Sequence, residues 1–400
     1  MTRTAPAPPS PETGPDSRAG TMLALATVGF LLNFWAWALL SPLGSSLRDE
    51  LGLTSLQQSL VVAVPVLVGS LGRIPVGALT DRLGARVMFP AVSAATILPV
   101  VFLGLFGHSY SRLLLGGFFL GIGGTAFAVG VPFVNAWFPP ARRGLAIGIF
   151  GMGTGGTAVS AFTTVKLADA YGRAFPFLVV AALLTLYAVA AWMLLRDASG
   201  RSAPSGGFLA RTWATLRLPI TLQLSALYAL GFGGFVAFSV YLPVYLRNAY
   251  DLTPADAATR TAGFVVLAVL MRPVGGWLSD RSHPVPVLTA CFGAAAALAA
   301  LAALELSLLP WATFAFLGLA AALGAASGAV FALVARVAPA EKVGSVTGVV
   351  GAAGGLGGFV PPLLMGAIYG RSGDYSLGYA LLAATAAVAC LYTWRVLRDA

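Results

Sequence analysis

The chain has 400 residues, of which 58% are hydrophobic and only 10% are charged. About a quarter of the residues are charged in a soluble globular protein, so this composition excludes an ordinary soluble enzyme. The formal net charge of +10 would suggest nucleic-acid binding in a soluble protein, but in a membrane protein the charges must first be sorted by location.

Residue types that hold metals or perform catalysis are scarce. The cysteines are Cys291 and Cys390, both within apolar stretches, and the histidines are His108 and His283. These residues supply neither a metal-ligand spacing nor a hydrolase triad. We therefore expect no bound metal, no cofactor and no enzymatic activity.

Twelve apolar stretches have the length of a membrane-crossing helix. In chain order, and called spans one to twelve below, they lie at about 21–43, 55–79, 87–107, 111–137, 144–166, 174–195, 219–246, 258–279, 285–306, 310–336, 344–369 and 376–395. This pattern predicts an all-α membrane protein with twelve transmembrane helices in two pseudo-symmetric six-helix bundles, each in contact with the lipid bilayer.

Polar segments divide these spans into domains. Residues 1–20 are rich in proline and predict a disordered cytoplasmic tail, and residues 196–218 are rich in serine and glycine and predict a cytoplasmic linker. The linker separates an N-terminal bundle, 21–195, from a C-terminal bundle, 219–397. Placing both termini in the cytoplasm concentrates the loop Lys and Arg residues on that side of the cell membrane, as the positive-inside rule requires. We expect a monomer that does not bind nucleic acid.

Two sequence patterns recur about 200 residues apart. Arg, Gly, Leu, Asp and Arg have the same spacing in Arg73–Arg82 and in Arg272–Arg281. Glycines also recur with the helical spacing i, i+4, i+7, i+11 in spans five and eleven; they are Gly144, Gly148, Gly151 and Gly155, and Gly344, Gly348, Gly351 and Gly355. The two halves are therefore structural repeats. Small residues on one helix face let two membrane helices pack closely, and these faces either serve packing alone or also slide and line a substrate route.

The segment Gly77–Arg86 resembles the loop signature of the major facilitator superfamily, and Gly276–Arg281 is similar to its shortened second copy. This resemblance covers the whole chain, since the twelve spans and the central linker also match. The loop charges are Asp81, Arg82, Asp280 and Arg281. They are either ordinary solvated charges or, as we favour, latches that join helix ends on the cytoplasmic side and control opening there.

Two arginines lie deep within predicted spans. Arg73 lies eight residues before Asp81, which places it about 12 Å along the helix and near the middle of the membrane, and Arg272 has the same position in the second half. A charge at that depth costs at least about 3 kcal/mol and requires compensation. A buried ion pair is one explanation, but Glu305 is the only acid inside a span, at the outer end of span nine. We favour a central site where the two guanidinium groups bind an anion.

The anion expected from these residues is planar. An oxyanion accepts parallel N–H bonds from a guanidinium group, and aromatic rings can cover its flat faces. Tyr228 and Phe232 lie four residues apart on one face of span seven, and Phe127 lies in span four. Each of these aromatic residues could equally serve helix packing or lipid contact, and their interest depends on the arginines.

Gly121–Phe162 and Gly328–Pro362 resemble the two glycine-rich signatures of the nitrate/nitrite porter family. The resemblance implies that Arg73 and Arg272 clamp nitrate or nitrite, with Phe127, Tyr228 and Phe232 around the anion. It also implies that residues within the signatures line the substrate site; these are Gly151, Thr154 and Gly354. Many family members have asparagine at the position of Thr154, a departure that bears on the preference between nitrate and nitrite.

These observations lead to the hypothesis of alternating access with exchange of nitrate against nitrite. Proton-coupled nitrate symport remains an alternative, although no acid or histidine lies deep in a span. Another anion or drug transporter and a nitrate receptor without transport also remain open.

Overall fold

The computed structural model describes residues 17–198, 213–339 and 342–397, and every regular element among them is helical. Twelve segments are long and apolar enough to cross a membrane; they are Arg18–Gly44, Leu60–Leu83, Ala85–Phe106, Tyr110–Trp137, Pro140–Tyr171, Phe175–Leu194, Pro219–Tyr250, Thr259–Arg281, Pro284–Ala302, Leu308–Val337, Ser345–Ser372 and Ser376–Val396. The predicted twelve-span architecture is confirmed.

The helices of the N-terminal half are Ser17–Trp37, Leu40–Leu51, Ser55–Leu83, Ala85–Phe106, Tyr110–Leu120, Ala126–Trp137, Arg143–Gly151, Gly156–Tyr171 and Phe175–Leu194. Those of the C-terminal half are Pro219–Tyr250, Pro254–Arg281, Pro284–Ala302, Thr313–Val337, Val343–Ser372 and Ser376–Val396. The first helix begins at Ser17, inside the segment predicted as a disordered tail, because the helix continues for one polar turn beyond the apolar stretch. Residues 1–16 of that tail and 199–212 of the predicted linker lie outside the described residues.

Leucine and valine side chains on the outer helix faces are exposed. Leu98, Leu186 and Val388 expose 74%, 68% and 67% of their surface. Lipid offers no hydrogen bonds to the backbone, so a helix, which pairs its own N–H and C=O groups, is the structure that such apolar segments adopt in a membrane.

Span ends are fixed by local capping. The Thr54 side chain accepts from the N–H of Gln57 in a capping box that starts the second span's helix. Gly84, with φ 86°, separates spans two and three, a conformation that favours glycine. The carboxylate of Asp197 accepts from the N–H groups of Ala85 and Arg86 and so caps the start of span three.

Spans four and five are interrupted near their middle. Gly121–Thr125 and Met152–Gly155 form 3-10 turns inside the otherwise α-helical spans. In each turn a threonine hydroxyl donates to the carbonyl three residues earlier, from Thr125 to Ile122 at 2.6 Å and from Thr154 to Gly151 at 2.9 Å. This bond matches the tighter 3-10 winding. The corresponding glycines of span eleven remain within the continuous helix Val343–Ser372.

Candidate functional site

Arg73 lies in the middle of span two and is only 1% exposed. Its Nε donates to the carbonyl of Gly124, in the 3-10 turn of span four, at 3.1 Å. Its Nη1 donates to the carbonyl of Gly351 in span eleven at 2.5 Å. The second bond joins the N-terminal half to the C-terminal half at the level of the arginine.

Arg272 occupies the equivalent position in span eight and is 3% exposed. Its Nη1 donates to the hydroxyl oxygen of Thr154 at 3.0 Å, and its Nη2 donates to the hydroxyl oxygen of Tyr228 at 3.1 Å. The bond to Thr154 runs from the C-terminal half to the N-terminal half, whereas the bond from Arg73 to Gly351 runs from the N-terminal half to the C-terminal half. The two arginines are thus used pseudo-symmetrically, each held by its own half and by the other half.

No carboxylate of the described residues neutralises the positive charge of this pair. Within residues 17–198, 213–339 and 342–397, neither guanidinium group has a carboxylate oxygen within 4.0 Å. A guanidinium group carries five N–H donors, and two are used in each arginine, which leaves three on each. Both arginines therefore retain charge and donors for an external acceptor.

Three parallel aromatic rings lie beside the arginines. The rings of Tyr228 and Phe232 stack at 5.1 Å with an interplanar angle of 2°, and Phe127 is stacked 6.1 Å from Tyr228 and 6.4 Å from Phe232. The Phe232 centroid lies 5.4 Å from the guanidinium carbon of Arg73 and 5.1 Å from that of Arg272. One ring thus contacts both cations through cation–π interactions.

Gly151 and Gly354 lie where side chains would collide with these groups. A Cβ at Gly151 would come 2.9 Å from Nε of Arg272, and one at Gly354 would overlap the Tyr228 ring and come 3.1 Å from Phe232. The structure therefore brings together all eight residues that the sequence assigned to substrate binding. These are Arg73, Phe127, Gly151, Thr154, Tyr228, Phe232, Arg272 and Gly354.

The chain matches the Major Facilitator Superfamily over residues 26–362. It is 51% identical over 374 residues to the probable nitrate/nitrite transporter NarK2 of Mycobacterium tuberculosis, covering 93% of this chain and 95% of that protein. The chain belongs to the nitrate/nitrite porter family of the major facilitator superfamily. This porter is accordingly a membrane transport protein and not an enzyme.

Other similar proteins agree with this assignment. The nitrite extrusion protein of Bacillus subtilis is 37% identical to the porter over 276 residues, which cover 69% of each chain. Among solved structures, the human organic anion transporter MFSD10 (TETRAN) has a TM-score of 0.80 at 15% identity, covering 94% of this chain and 99% of that chain. At that identity the structural likeness shows the fold alone.

The two glycine stripes of the porter pack the halves together in equivalent ways. Span five places all four of its glycines against span eight; a Cβ at Gly148 would come 2.5 Å from Cα of Pro273. Span eleven faces span two, where Gly348 lies against the Arg73 carbonyl and Gly355 against the Ser70 side chain. Gly344 lies in the helix of span eleven, but its surroundings are outside the described residues. The glycines with described surroundings therefore lie where the two halves approach each other closely.

Two of the four loop charges link the halves on the side where span six ends and span seven begins, called the linker side below. The Asp280 carboxylate accepts from the N–H groups of Gly144 and Leu145, at 3.0 and 2.8 Å, at the start of span five. Asp81 accepts from the Ser345 hydroxyl at 3.4 Å, at the start of span eleven. Arg281 makes a cation–π contact with the Trp277 ring of its own helix. Arg82 also has an interaction partner. The Asp280 and Asp81 contacts join the two halves at the linker side of the porter.

A cavity of about 80 Å³ lies between the halves on the opposite side. Its walls come from spans one, two and five of one half and spans seven and eight of the other, and they are mostly apolar; they include Phe34, Trp37, Pro65, Phe235 and Val265. Span one is held against span two here by a bond from Trp37 Nε1 to the Pro65 carbonyl at 2.9 Å.

Sequence analysis missed three components of the site. Phe331 in span ten packs edge-on against Phe127 and Tyr228, at 5.0 and 4.6 Å. The carbonyls of Gly124 and Gly351 hold Arg73, a role that the glycine stripe containing Gly351 did not indicate. Phe331 lies within the signature segment Gly328–Pro362 and could have been considered on that ground, whereas nothing in the sequence indicates which carbonyls an arginine reaches.

Proposed function

We propose that this porter carries nitrate and nitrite across the cell membrane by alternating access, exchanging one anion for the other. The observation that carries the proposal is the pair of buried, unneutralised arginines at the interface of the halves. The names of the relatives, nitrate/nitrite transporter and nitrite extrusion protein, support these two anions as substrates.

The donor geometry suits a small planar anion. Three N–H groups remain on each guanidinium, and nitrate has three oxygens with two lone pairs each, so the numbers of donors and acceptors match. The Phe232 ring contacts both guanidinium groups and provides a flat apolar surface beside them. A large organic anion would require the three parallel rings to separate.

Thr154 positions Arg272 in this proposal. Its hydroxyl donates to Gly151 and accepts from Arg272, so its single hydrogen is already used within the protein. An asparagine at this position would offer two N–H donors in addition to its acceptor oxygen. The porter therefore depends on its arginines more fully for contacts to the anion than an asparagine-bearing relative would.

The conformation fits one stage of alternating access. The linker side, which we assign to the cytoplasm together with both termini, is closed by Asp280, Asp81 and the glycine contacts. Exchange then requires these contacts to open while those around the cavity on the other side close. Because the cytoplasmic side is closed, this conformation corresponds to a stage of the cycle before or after the anion is released to the cytoplasm.

The test uses purified protein in liposomes loaded with nitrite and supplied with external nitrate. We expect nitrate uptake that requires internal nitrite and that is lost in Arg73→Lys and Arg272→Lys. Uptake that ignores internal nitrite but follows an imposed pH gradient would establish proton symport instead. Binding of nitrate without any flux would refute transport and favour a receptor, and inhibition by organic anions but not by nitrate would favour another substrate class.

A further inference from the structure

Four buried polar side chains between the arginines and the linker side have no hydrogen-bond partner among the described residues. They are Asn135, Thr221, Ser225 and Thr347, and each is between 0% and 9% exposed. A buried polar group without a partner destabilises the conformation that contains it, and such groups are few in folded proteins. Four of them on one side of a transport site require an explanation.

Buried serine and threonine hydroxyls in the other described spans have hydrogen-bond partners. Ser70, Thr96 and Thr261 each donate to the carbonyl one helical turn earlier, at 2.6 to 2.8 Å. Ser225 and Thr347 also lie inside continuous helices, where the same bond is available, and they do not make it. Their hydroxyls therefore have no acceptor among the described residues.

The unpartnered hydroxyls lie on the helix faces that carry the site. Gly354 of span eleven packs against Tyr228 of span seven, and the two helices run in the same direction from the linker side. Thr221 lies seven residues before Tyr228, and Thr347 lies seven residues before Gly354. Seven residues are about two helical turns, so both threonines lie on the site-facing side of their helices, about 10 Å toward the linker side.

Ser225 and Asn135 extend the same arrangement. Ser225 is three residues before Tyr228, one turn below the ring on the same face. Asn135 is eight residues after Phe127 in span four, which runs toward the linker side, so it lies about 12 Å beyond the ring. Phe127 itself contacts the face of Gly351 in span eleven. Donors on spans four, seven and eleven therefore follow one another from the arginines toward the linker side.

We propose that Thr221, Ser225 and Thr347, together with Asn135, form a second, transient site for a small monovalent oxyanion on the linker side of the arginine pair. This inference rests on the proposed function, since it assigns the path by which the same anion leaves. Hydroxyl and amide N–H groups donate to the anion as it moves away from the guanidinium groups, and they have no partner in the structure because the linker side is closed. Opening at Asp280 and Asp81 brings these donors to the cytoplasmic route.

The principal test replaces both threonines by valine, which keeps the shape and removes the hydroxyls. We expect Thr221→Val with Thr347→Val to slow nitrate/nitrite exchange about tenfold, as the loss of a hydrogen bond to a charged group predicts. Equilibrium nitrate affinity is expected to stay close to wild type, because the arginine site is intact. The melting temperature is expected not to fall, because the removed hydroxyls have no partner in the closed state.

Two further variants complete the test. Thr393→Val is the matched control; it removes a buried hydroxyl that donates to the Ala389 carbonyl in span twelve, away from the route, and exchange is expected to continue at the wild-type rate. Thr221→Ser with Thr347→Ser keeps a hydroxyl at both positions and should retain most of the exchange that is lost in the valine pair. If the valine pair does not fold, Ser225→Ala is measured in its place, with the same expected slowing.

The results separate this inference from the proposed function. Full exchange in the valine pair, in a protein whose exchange is lost in Arg73→Lys, overturns the second site and leaves the proposed function in place. A fall in melting temperature that accounts for the loss of exchange also overturns it, since the hydroxyls then serve stability. Wild-type protein that neither binds nor exchanges nitrate and nitrite refutes the proposed function and this inference together.

Discussion

Replacement of Arg272 by lysine tests whether the planar guanidinium group, and not simply a positive charge, binds the anion. Arg272 uses two N–H groups on Thr154 and Tyr228 and retains three for a ligand. An ammonium group has three N–H groups in total, so one remains if both protein bonds are kept. The substitution therefore removes two donors from the anion while the net charge of the site is unchanged.

The expected loss follows from this difference. At about 1.5 kcal/mol for each hydrogen bond to a charged group, two lost donors weaken nitrate binding by about 3 kcal/mol, or roughly a hundredfold. Titration calorimetry of the purified protein measures the affinity, and nitrite-loaded liposomes measure exchange. Size-exclusion behaviour and the melting temperature establish that Arg272→Lys is folded.

Arg371→Lys is the matched control, because Arg371 is exposed at the far end of span eleven and lies outside the arginine pair. We expect wild-type affinity in the control. A folded Arg272→Lys protein with nitrate affinity within about threefold of wild type would refute the donor argument, since a difference that small corresponds to less than one hydrogen bond.

Three other substitutions test neighbouring parts of the site. Phe232→Leu removes the ring shared by both arginines and should weaken nitrate binding about tenfold, in the range of buried cation–π interactions, as measured by the same titration. Gly148→Ala places a Cβ 2.5 Å from Cα of Pro273 and should lower the free energy of unfolding by about 1–3 kcal/mol, as measured by thermal unfolding. Gly263→Ala is the control and should not lower it, because no neighbouring atom lies within 4 Å of the added Cβ. Asp280→Asn leaves one acceptor oxygen for two N–H groups and should open the linker side more often. This opening should appear as faster labelling of Leu145→Cys, which keeps its backbone N–H, by a thiol reagent; unchanged labelling would contradict the latch.

The spans and the depth of the arginines could be predicted because they depend on local properties. Membrane thickness fixes the length of an apolar helix, and the helical rise places Arg73 relative to Asp81 without any tertiary information. The glycine spacing similarly predicted one face on each of spans five and eleven. The structure shows which helices those faces meet, namely spans eight and two.

The partners of the arginines could not be predicted, because they depend on departures from the regular helix. Spans five and eleven carry glycines at equivalent positions, yet Met152–Gly155 forms a 3-10 turn while Gly351 to Gly355 stays α-helical. The Thr154 hydroxyl bonds three residues back within the first turn, and the second segment has no threonine. A repeat in sequence therefore produces equivalent packing but different hydrogen bonds, and Arg272 binds a side chain where Arg73 binds a carbonyl.

The charges of the two arginines bear on the proposed exchange of one anion for another. Both guanidinium carbons lie within 5.4 Å of the Phe232 centroid, so they are at most about 11 Å apart. At an effective dielectric constant of about 20, two unit charges at that distance repel by about 1.5 kcal/mol, whereas an anion midway attracts each of them by about 3 kcal/mol. The summed electrostatic energy of the site is therefore repulsive without an anion and attractive with one. On this argument an anion favours closure of the halves around the site, and an empty site opposes it. Under the proposed exchange mechanism, return of the transporter after delivering nitrate would use another small anion, and nitrite offers the same kind of oxygen acceptors.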